Sequence, residues 1–274
     1  MKQNNTADII IIGGGIIGCS IAYNLANQGA KNVVVLEKGE LCSGGTAKSC
    51  AITRSHYSIE ANVHHAVESV KIFENFDDMV GGDPRFTCTG QLVLGQEKHR
   101  PVMESVFCTQ NKYGSETQTL TPAEAAKLHP LLQFEDVDVI GFESRSGYCD
   151  PYLTTISYAK RAKDLVVKFY TITPVTGNRI NGVNKTIETR RSDFECSTLI
   201  LAAGPWTHNL GKVLGIKFPY EISKHKVLTL KIGIPYEKDW PIVKDLLTPG
   251  KNYFGTDASG VVLVRTGDQG DAVN

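Results

Sequence analysis

The sequence has no surplus of either charge, few aromatic side chains and no long uninterrupted apolar run. Its 274 residues include 29 Lys plus Arg and 29 Asp plus Glu, and 8% are aromatic. Balanced charge provides no general attraction to nucleic acid or to an anionic membrane surface, so we expect a small-molecule partner and no nucleic acid. The 41% hydrophobic content is typical of a globular protein and excludes a disordered or collagen-like chain.

The sequence also lacks the cysteine patterns of disulfide frameworks and metal sites. Its seven cysteines are scattered, with no Cys-x-x-Cys pair and no histidine at metal-ligand spacing, so we predict reduced thiols, no metal and a cytoplasmic location. The N-terminal residues do not resemble a signal peptide. The most apolar stretch, residues 9–22, is interrupted by glycines and is shorter than the roughly 20 residues that cross a bilayer, so we expect no membrane span.

The first 36 residues predict a strand, a helix and a second strand. Four isoleucines at 9–12 indicate a strand buried on both faces. After them, apolar residues spaced four apart indicate a helix that ends near Gly29. The apolar run at 33–36 is the next predicted strand.

The turn between the first strand and the helix matches the pattern Gly-x-Gly-x-x-Gly. The first glycine permits a tight turn, the second lets the backbone approach a pyrophosphate, and the third lets helix and strand pack closely. Amides at the start of the helix attract phosphate. We therefore predict a dinucleotide site formed by Gly13, Gly15, Ile16, Ile17 and Gly18.

Glu37, at the end of the second predicted strand, is placed to bind ribose hydroxyls, and its charge disfavours the 2′-phosphate of NADP. The fingerprint alone leaves NAD and FAD open. The long loop 38–49 favours FAD, because it can follow the pyrophosphate and ribityl chain, and a second apolar strand at 198–203 ends at a glycine. The predicted loop contacts to the cofactor are Lys38, Ser43, Gly44, Gly45, Thr46 and Ser49.

The middle of the chain predicts a second lobe. A helix is expected over 61–80, and 81–142 mixes short β-like runs at 91–94 and 137–140 with a helix that follows the capping box of Thr121 and Glu124. Another helix begins at Pro151, and polar alternating strands follow over 179–194.

Four stretches occur in an order typical of one superfamily: the glycine fingerprint, CAITRSHYS at 50–58, GYCDP at 147–151 and STLILAAGPW at 197–206. By these motifs the chain resembles FAD-dependent oxidoreductases of the D-amino-acid oxidase superfamily, and most of all the group of sarcosine oxidase β-subunit, glycine oxidase and proline dehydrogenase. We expect an α/β (α+β overall) protein, with a Rossmann-like FAD-binding domain over 1–85 and 144–218. A mixed β-sheet substrate lobe over 86–143 and 219–274 is interleaved with it.

The resemblance implies roles for further residues. Val175 would meet the adenine through its backbone, and Ala203, Gly204 and Trp206 would lie near the cofactor, although packing at a helix start is an alternative for Trp206. Lys48 stands where the dimethylglycine dehydrogenase branch carries a histidine bonded to the flavin, so we predict non-covalent FAD.

The predicted catalytic residues are Arg54, His56 and Tyr57. In several relatives the matching arginine holds the substrate carboxylate, which suits the planar fork of a guanidinium group. A surface ion pair is the alternative for Arg54. His56 is a candidate because histidine is a common acid–base group, and a structural role is its alternative.

The implied reaction is oxidation of the C–N bond of a secondary or N-methylated amino acid by hydride transfer to the flavin, with oxygen or another electron acceptor. Relatives continue past residues 253–268 into a segment that completes the carboxylate site, whereas this chain stops at Asn274. We expect either truncation or a partner subunit that supplies the rest. The alternatives are a catalytically incomplete FAD- or ADP-binding subunit and an NAD-linked dehydrogenase.

Overall fold

The computed structural model describes residues 4–181, 184–231, 233, 236–237, 239–257, 261–265 and 271–272. Its helices are α1 (Ile16–Asn27), α2 (Glu60–Glu74), α3 (Phe76–Met79), α4 (Arg100–Lys112), α5 (Pro122–Leu128), α6 (Pro151–Asp164) and α7 (Thr207–Leu214). Short 3-10 turns occupy Thr46–Lys48, Glu97–His99 and Gly204–Trp206.

The strands of the described residues carry the labels β1 to β17 in chain order. They are β1 (Asn4–Ile12), β2 (Val33–Leu36), β3 (Ile52–Thr53), β4 (Gln91–Gly95), β5 (Thr117–Thr119), β6 (Val139–Glu143), β7 (Gly147–Tyr148), β8 (Lys168–Tyr170), β9 (Val175–Asn181), β10 (Asn184–Thr189), β11 (Asp193–Leu201), β12 (Ser223–Lys224), β13 (Val227–Leu230), β14 (Ile242–Asp245), β15 (Tyr253–Thr256), β16 (Val262–Arg265) and β17 (Asp271–Ala272).

Two compact units divide the chain, and unit 1 comprises Met1–Ser49, Val80–Asp83 and Pro151–Tyr220. Its six-stranded sheet has the order β8-β2-β1-β11-β10-β9. The first four strands are mutually parallel, β10 is antiparallel to β11, and β9 is antiparallel to β10. The predicted strand–helix–strand start is confirmed as β1, α1 and β2, and Ile10 and Ile11 of β1 are fully buried.

Unit 2 comprises Cys50–Met79, Pro84–Asp150 and Glu221–Asn274. Its main sheet has the order β13-β16-β15-β14-β4-β6-β5, in which β14 runs parallel to β4 and the other pairs are antiparallel. Two small antiparallel pairs, β3 with β7 and β12 with β17, accompany it. The mixed sheet agrees with the expected mixed-sheet lobe.

The unit boundaries differ from the predicted domain boundaries. Residues 50–79, 84–85 and 144–150, which were predicted in the FAD-binding domain, lie in unit 2, and residues 219–220, predicted in the substrate lobe, lie in unit 1. The physical reason is local pairing, because β3 pairs with β7 and α2 packs against β3 and α4, all within unit 2.

Two helical predictions need correction. The helix expected over 61–80 is broken at Asn75, whose side-chain amide donates to the carbonyl of Lys71 at 2.9 Å and so caps α2 before α3 begins. The sequence analysis placed no helix at α4, which buries Met103, Val106 and Phe107 at helical spacing on one face. The capping box of α5 is present as predicted.

No disulfide joins any of the seven cysteines, all of which lie in the described part of the chain. Among the residues that the structure describes, none of the helices has the length and apolar character needed to cross a bilayer. Within the same residues, no cluster of three or more histidine, cysteine or acidic side chains is arranged to bind a metal ion.

Candidate functional site

The predicted glycine turn lies at the carboxyl edge of the parallel strands in unit 1. The amide of Gly13 donates to the carbonyl of Leu36, and the amide of Ala202 donates to that of Ile12. Gly13 has a φ of +119°, and a Cβ there would lie 2.3 Å from the carbonyl oxygen of Ala202 and 3.0 Å from the Cα of Ala203. The ends of three strands therefore meet at Gly13, where ligands bind in open α/β sheets.

The two remaining fingerprint glycines, Gly15 and Gly18, are closely approached by neighbouring atoms. A Cβ on Gly18 would lie 1.9 Å from the carbonyl oxygen of Gly13, and one on Gly15 would lie 2.9 Å from the hydroxyl of Thr46. That hydroxyl accepts a hydrogen bond from the amide of Ile16 at 3.1 Å. Thr46 thereby connects the 38–49 loop to the helix N-terminus, the phosphate-binding end of a helix.

The Glu37 carboxylate faces the glycine turn. One of its oxygens accepts from the amide of Gly14 at 2.6 Å, and the other accepts from the amide of Gly39 at 2.8 Å. A carboxylate oxygen has two acceptor positions, so each retains one for a hydroxyl group. The side chain thus lies at the end of β2 where the sequence analysis expected a ribose.

Lys38 and Trp206 come together in a contact that their sequence positions do not indicate. The Lys38 ammonium lies 3.4 Å from the centroid of a Trp206 ring, within the range of a cation–π interaction. Partial burial lowers the pKa of Lys38, and the nearby charge of Glu37 opposes that shift. A Cβ on Gly44 would lie 3.2 Å from the Trp206 ring, so the loop lies close to the indole at this residue.

The other predicted cofactor residues are spread over the surface of unit 1. Gly204 has a φ of +54°, and a Cβ on it would meet no atom within 4 Å, so a ligand can approach the backbone there. Val175 begins β9 and packs against the core of this unit. The exposed members are Ile17, Ser43, Gly45, Ser49 and Gly204.

These residues fit the ADP part of FAD. The glycine turn leaves no space for side chains, the helix start presents backbone amides, and Glu37 offers acceptors for ribose. FAD held at this edge would lie against the glycine turn, the start of α1 and Glu37, and contacts to the remaining predicted cofactor residues stay a prediction.

In unit 2, Arg54 directly follows β3 and lies beside two tyrosine rings. Its guanidinium carbon is 5.1 Å from the ring centroid of Tyr57 and 5.7 Å from that of Tyr253. No carboxylate forms an ion pair with Arg54 among the residues that the structure describes, so the surface ion pair considered above is not observed there. Arg54 is thus placed to bind an external anion.

His56 faces a buried carboxylate. Its Nδ1 atom lies 3.3 Å from Glu143 Oε1, and the Glu143 side chain is 1% exposed. The other Glu143 oxygen accepts from the backbone amide of Ser55 at 3.1 Å, from the hydroxyl of Ser55 at 3.2 Å and from the hydroxyl of Ser146 at 2.7 Å. Burial raises the pKa of Glu143, but the neighbouring His56 and the hydrogen bond from Ser146 outweigh it and hold the pKa below its ordinary value.

The Glu143 cluster extends from the strand that carries it to the segment of the predicted catalytic residues. The hydroxyl of Ser55 is 2.5 Å from that of Ser115 and accepts from Gln110 at 2.9 Å. Buried polar groups with several partners keep a segment in one conformation, so the cluster fixes residues 54–57. The sequence analysis missed Glu143, although an acid ending a strand of buried residues is a detectable signal.

A small cavity in unit 2 lies next to Tyr253. Its lining includes the polar side chains of Tyr253, Thr256 and Arg265, the thiol of Cys50 and several apolar residues. Burial raises the pKa of Cys50, and the charge of Arg265 acts in the opposite direction. The sequence analysis assigned no role to this cavity, because its residues come from segments about 200 positions apart in the chain.

Comparison with known proteins places this geometry in a family. A family model described as FAD dependent oxidoreductase, DAO, matches residues 8–274. The mitochondrial dimethylglycine dehydrogenase of Rattus norvegicus is 28% identical over 269 residues, which cover 96% of this chain and 31% of the relative. The mitochondrial pyruvate dehydrogenase phosphatase regulatory subunit of Mus musculus is 27% identical over 265 residues, which cover 93% and 30%.

The chain therefore spans just under a third of the length of these curated relatives. Among solved structures, the L-proline dehydrogenase from P. horikoshii superposes with a TM-score of 0.90 at 27% identity, covering 99% of this chain and 72% of that one. The expected superfamily and its mixed α/β fold are thereby confirmed, and FAD is favoured over NAD. The chain belongs to the DAO family of FAD dependent oxidoreductases.

Proposed function

We propose that the chain contributes the FAD-binding and substrate-binding residues of an oxidoreductase for secondary or N-methylated amino acids. The observation that carries the proposal is Arg54, a guanidinium group beside Tyr57 and Tyr253 with no ion-pair partner in the described part of the chain. Relatives named for dimethylglycine and proline support the choice of substrate class.

Residues of unit 1 hold the cofactor in this proposal. Backbone amides at the start of α1 bind the pyrophosphate, and Glu37 binds ribose. The contact between Lys38 and Trp206 anchors the beginning of the 38–49 loop beside them. When bound, FAD supplies a two-electron acceptor for the hydride that leaves the substrate α-carbon, and water hydrolyses the resulting imine. Lys48 at the position of the flavin-linked histidine supports non-covalent binding.

Residues of unit 2 hold the amino acid. Arg54 binds its carboxylate through two parallel hydrogen bonds, which fixes the direction of the α-carbon. The buried Glu143 positions Arg54 by fixing Ser55 and His56. The carboxylate of Glu143 already accepts hydrogen bonds and faces His56. It therefore does not compete with the substrate carboxylate for Arg54.

The decisive experiment is an absorption spectrum of the purified chain reconstituted with FAD, followed by acid precipitation. We expect a flavin spectrum, release of all flavin into the supernatant, and anaerobic bleaching by N-methylglycine, N,N-dimethylglycine or L-proline. Arg54→Gln should retain the flavin and lose bleaching, whereas the exposed Arg190→Gln should behave as the wild type. A chain that never takes up FAD contradicts the proposal.

A second candidate function is a non-catalytic FAD-binding subunit. It is favoured by the relative that is named as a regulatory subunit. This alternative predicts bound FAD without bleaching by any amino acid, together with a stable complex with a partner chain. Bleaching by the chain alone would exclude it.

A further inference from the structure

Ile172 is a branched apolar residue in a backbone conformation that branched residues rarely adopt. Its φ is +51°, in the left-handed region, and the residue is 54% exposed. Glycine and asparagine occupy this region with less strain than isoleucine, and both suit an exposed turn. The local fold therefore does not by itself account for an isoleucine at this position.

The backbone around Ile172 is hydrogen-bonded to the segment that carries the predicted ribose-binding acid. The amide of Ile172 donates to the carbonyl of Gly39 at 3.0 Å, and the amide of Thr173 donates to the carbonyl of Glu37 at 2.8 Å. The amide of Gly39 in turn donates to the Glu37 carboxylate at 2.8 Å. Gly39 thus joins the backbone of Ile172 to the acceptor group expected to bind ribose.

Strand order places Ile172 next in line after the groups expected to bind pyrophosphate and ribose. The sheet order begins β8-β2-β1, and these three strands are parallel, so their carboxyl ends share one edge. The glycine turn follows β1, Glu37 follows β2, and Ile172 lies two residues after the end of β8. In ADP the base is attached to the ribose and extends away from the pyrophosphate. A pyrophosphate at β1 and a ribose at β2 therefore direct the base toward the end of β8.

We propose that Ile172 is a cofactor-binding residue that covers one face of the adenine ring of FAD. The direction of the adenine rests on the proposed function, which assigns the pyrophosphate to the start of α1 and the ribose to Glu37. Purine faces are flat and pack against apolar side chains, and this contact removes apolar surface from water. The contact exists only in the loaded chain, so a strained isoleucine is retained for binding rather than for the stability of the empty chain.

The test compares two substitutions of nearly equal shape and opposite polarity. Isothermal titration calorimetry of the flavin-free full chain with ADP, and separately with FAD, gives the dissociation constants. Ile172→Leu keeps an apolar side chain and should stay within about twofold of the wild type. Ile172→Asn suits the left-handed backbone but presents an amide, so it should bind ADP and FAD about tenfold more weakly, as expected for losing part of the burial of one branched side chain.

Val166 provides a matched control in the same unit. It is also β-branched, has a φ of +70° and is 78% exposed, but it precedes β8 and so lies at the opposite end of that strand. Val166→Asn should therefore bind ADP and FAD as the wild type does. Ile172→Thr, which keeps the β-branch but introduces a hydroxyl, serves where Ile172→Asn does not fold by circular dichroism and should also weaken ADP.

The shift of the urea midpoint caused by saturating ADP gives a second readout, because a ligand that binds only the folded chain stabilises it according to its dissociation constant. This shift should be smaller for Ile172→Asn than for the wild type, Ile172→Leu and Val166→Asn. Wild-type affinity for ADP in Ile172→Asn, equal losses in Ile172→Leu and Ile172→Asn, or an equal loss in Val166→Asn would overturn the inference.

The outcome is separate from that of the proposed function. Flavin bleaching by an amino acid, together with unchanged ADP affinity in Ile172→Asn, supports the proposed function and overturns the adenine contact. Weakened ADP binding in Ile172→Asn without bleaching supports the adenine contact alone. A folded wild-type chain that binds neither ADP nor FAD contradicts both.

Discussion

Replacing Glu143 by glutamine tests whether the buried carboxylate holds the 54–57 segment. The substitution preserves volume but turns one acceptor oxygen into an N–H donor, which then faces the donors of Ser55 and Ser146 or the ring of His56. A buried donor that loses its acceptor costs about 1–3 kcal/mol. We expect Glu143→Gln to lower the free energy of unfolding of unit 2 by about 2 kcal/mol.

The two tryptophans provide an assay for each unit. The chain has only Trp206, in unit 1, and Trp240, in unit 2. In a Trp206→Phe background, urea unfolding followed by fluorescence therefore reports unit 2 through Trp240. The matched control is Glu104→Gln, whose side chain is 59% exposed and which should leave the urea midpoint unchanged.

The pH dependence gives the same prediction a second readout. Because the pKa of Glu143 in the folded chain lies below its unfolded value of about 4.3, its stabilisation is complete above that pH and is lost as the pH falls through the folded pKa. The stability difference between wild type and Glu143→Gln should stay constant from pH 7 to 5 and shrink below pH 4. A cost under about 1 kcal/mol at pH 7, or a difference that does not shrink on acidification, would refute the reasoning.

Three further predictions concern other parts of the molecule. Burial lowers the pKa of His129 in the folded chain to about 4. As the pH falls from about 6.5 to 4, the unfolded chain binds a proton at this histidine that the folded chain does not, so unit 2 should lose stability over that range. His129→Gln should flatten that part of the urea-midpoint profile, and an unchanged slope would contradict the assignment. Gly18→Ala should abolish FAD binding, measured by flavin fluorescence, because its Cβ would lie 1.9 Å from a carbonyl oxygen. The control Gly233→Ala, where a Cβ would meet no atom within 4 Å and the backbone has no positive φ, should still bind FAD. A thiol reagent should label Cys88 and Cys108 in the folded chain and all seven cysteines in urea, and rapid labelling of more than two would show that the buried thiols are accessible.

Local patterns predicted the cofactor edge well because its parts are close in sequence. The isoleucine run, the glycine turn and the spacing to Glu37 are all contained within the first 37 residues, and the structure joins them as β1, α1 and β2. The steric need for glycine at position 18 comes from the carbonyl of Gly13, five residues away, so the motif itself carries the reason.

Tertiary structure decided which distant residues became neighbours. Sequence order shows neither that Lys38 stacks on Trp206 nor that Glu143 binds the backbone of Ser55, because each contact depends on how strands are ordered in a sheet. The same holds for Arg54 and Arg265, more than 200 positions apart in the chain, which meet at the ring of Tyr253. Short-range sequence periodicity determines strands and turns, whereas strand order and register determine which charged residues are brought together.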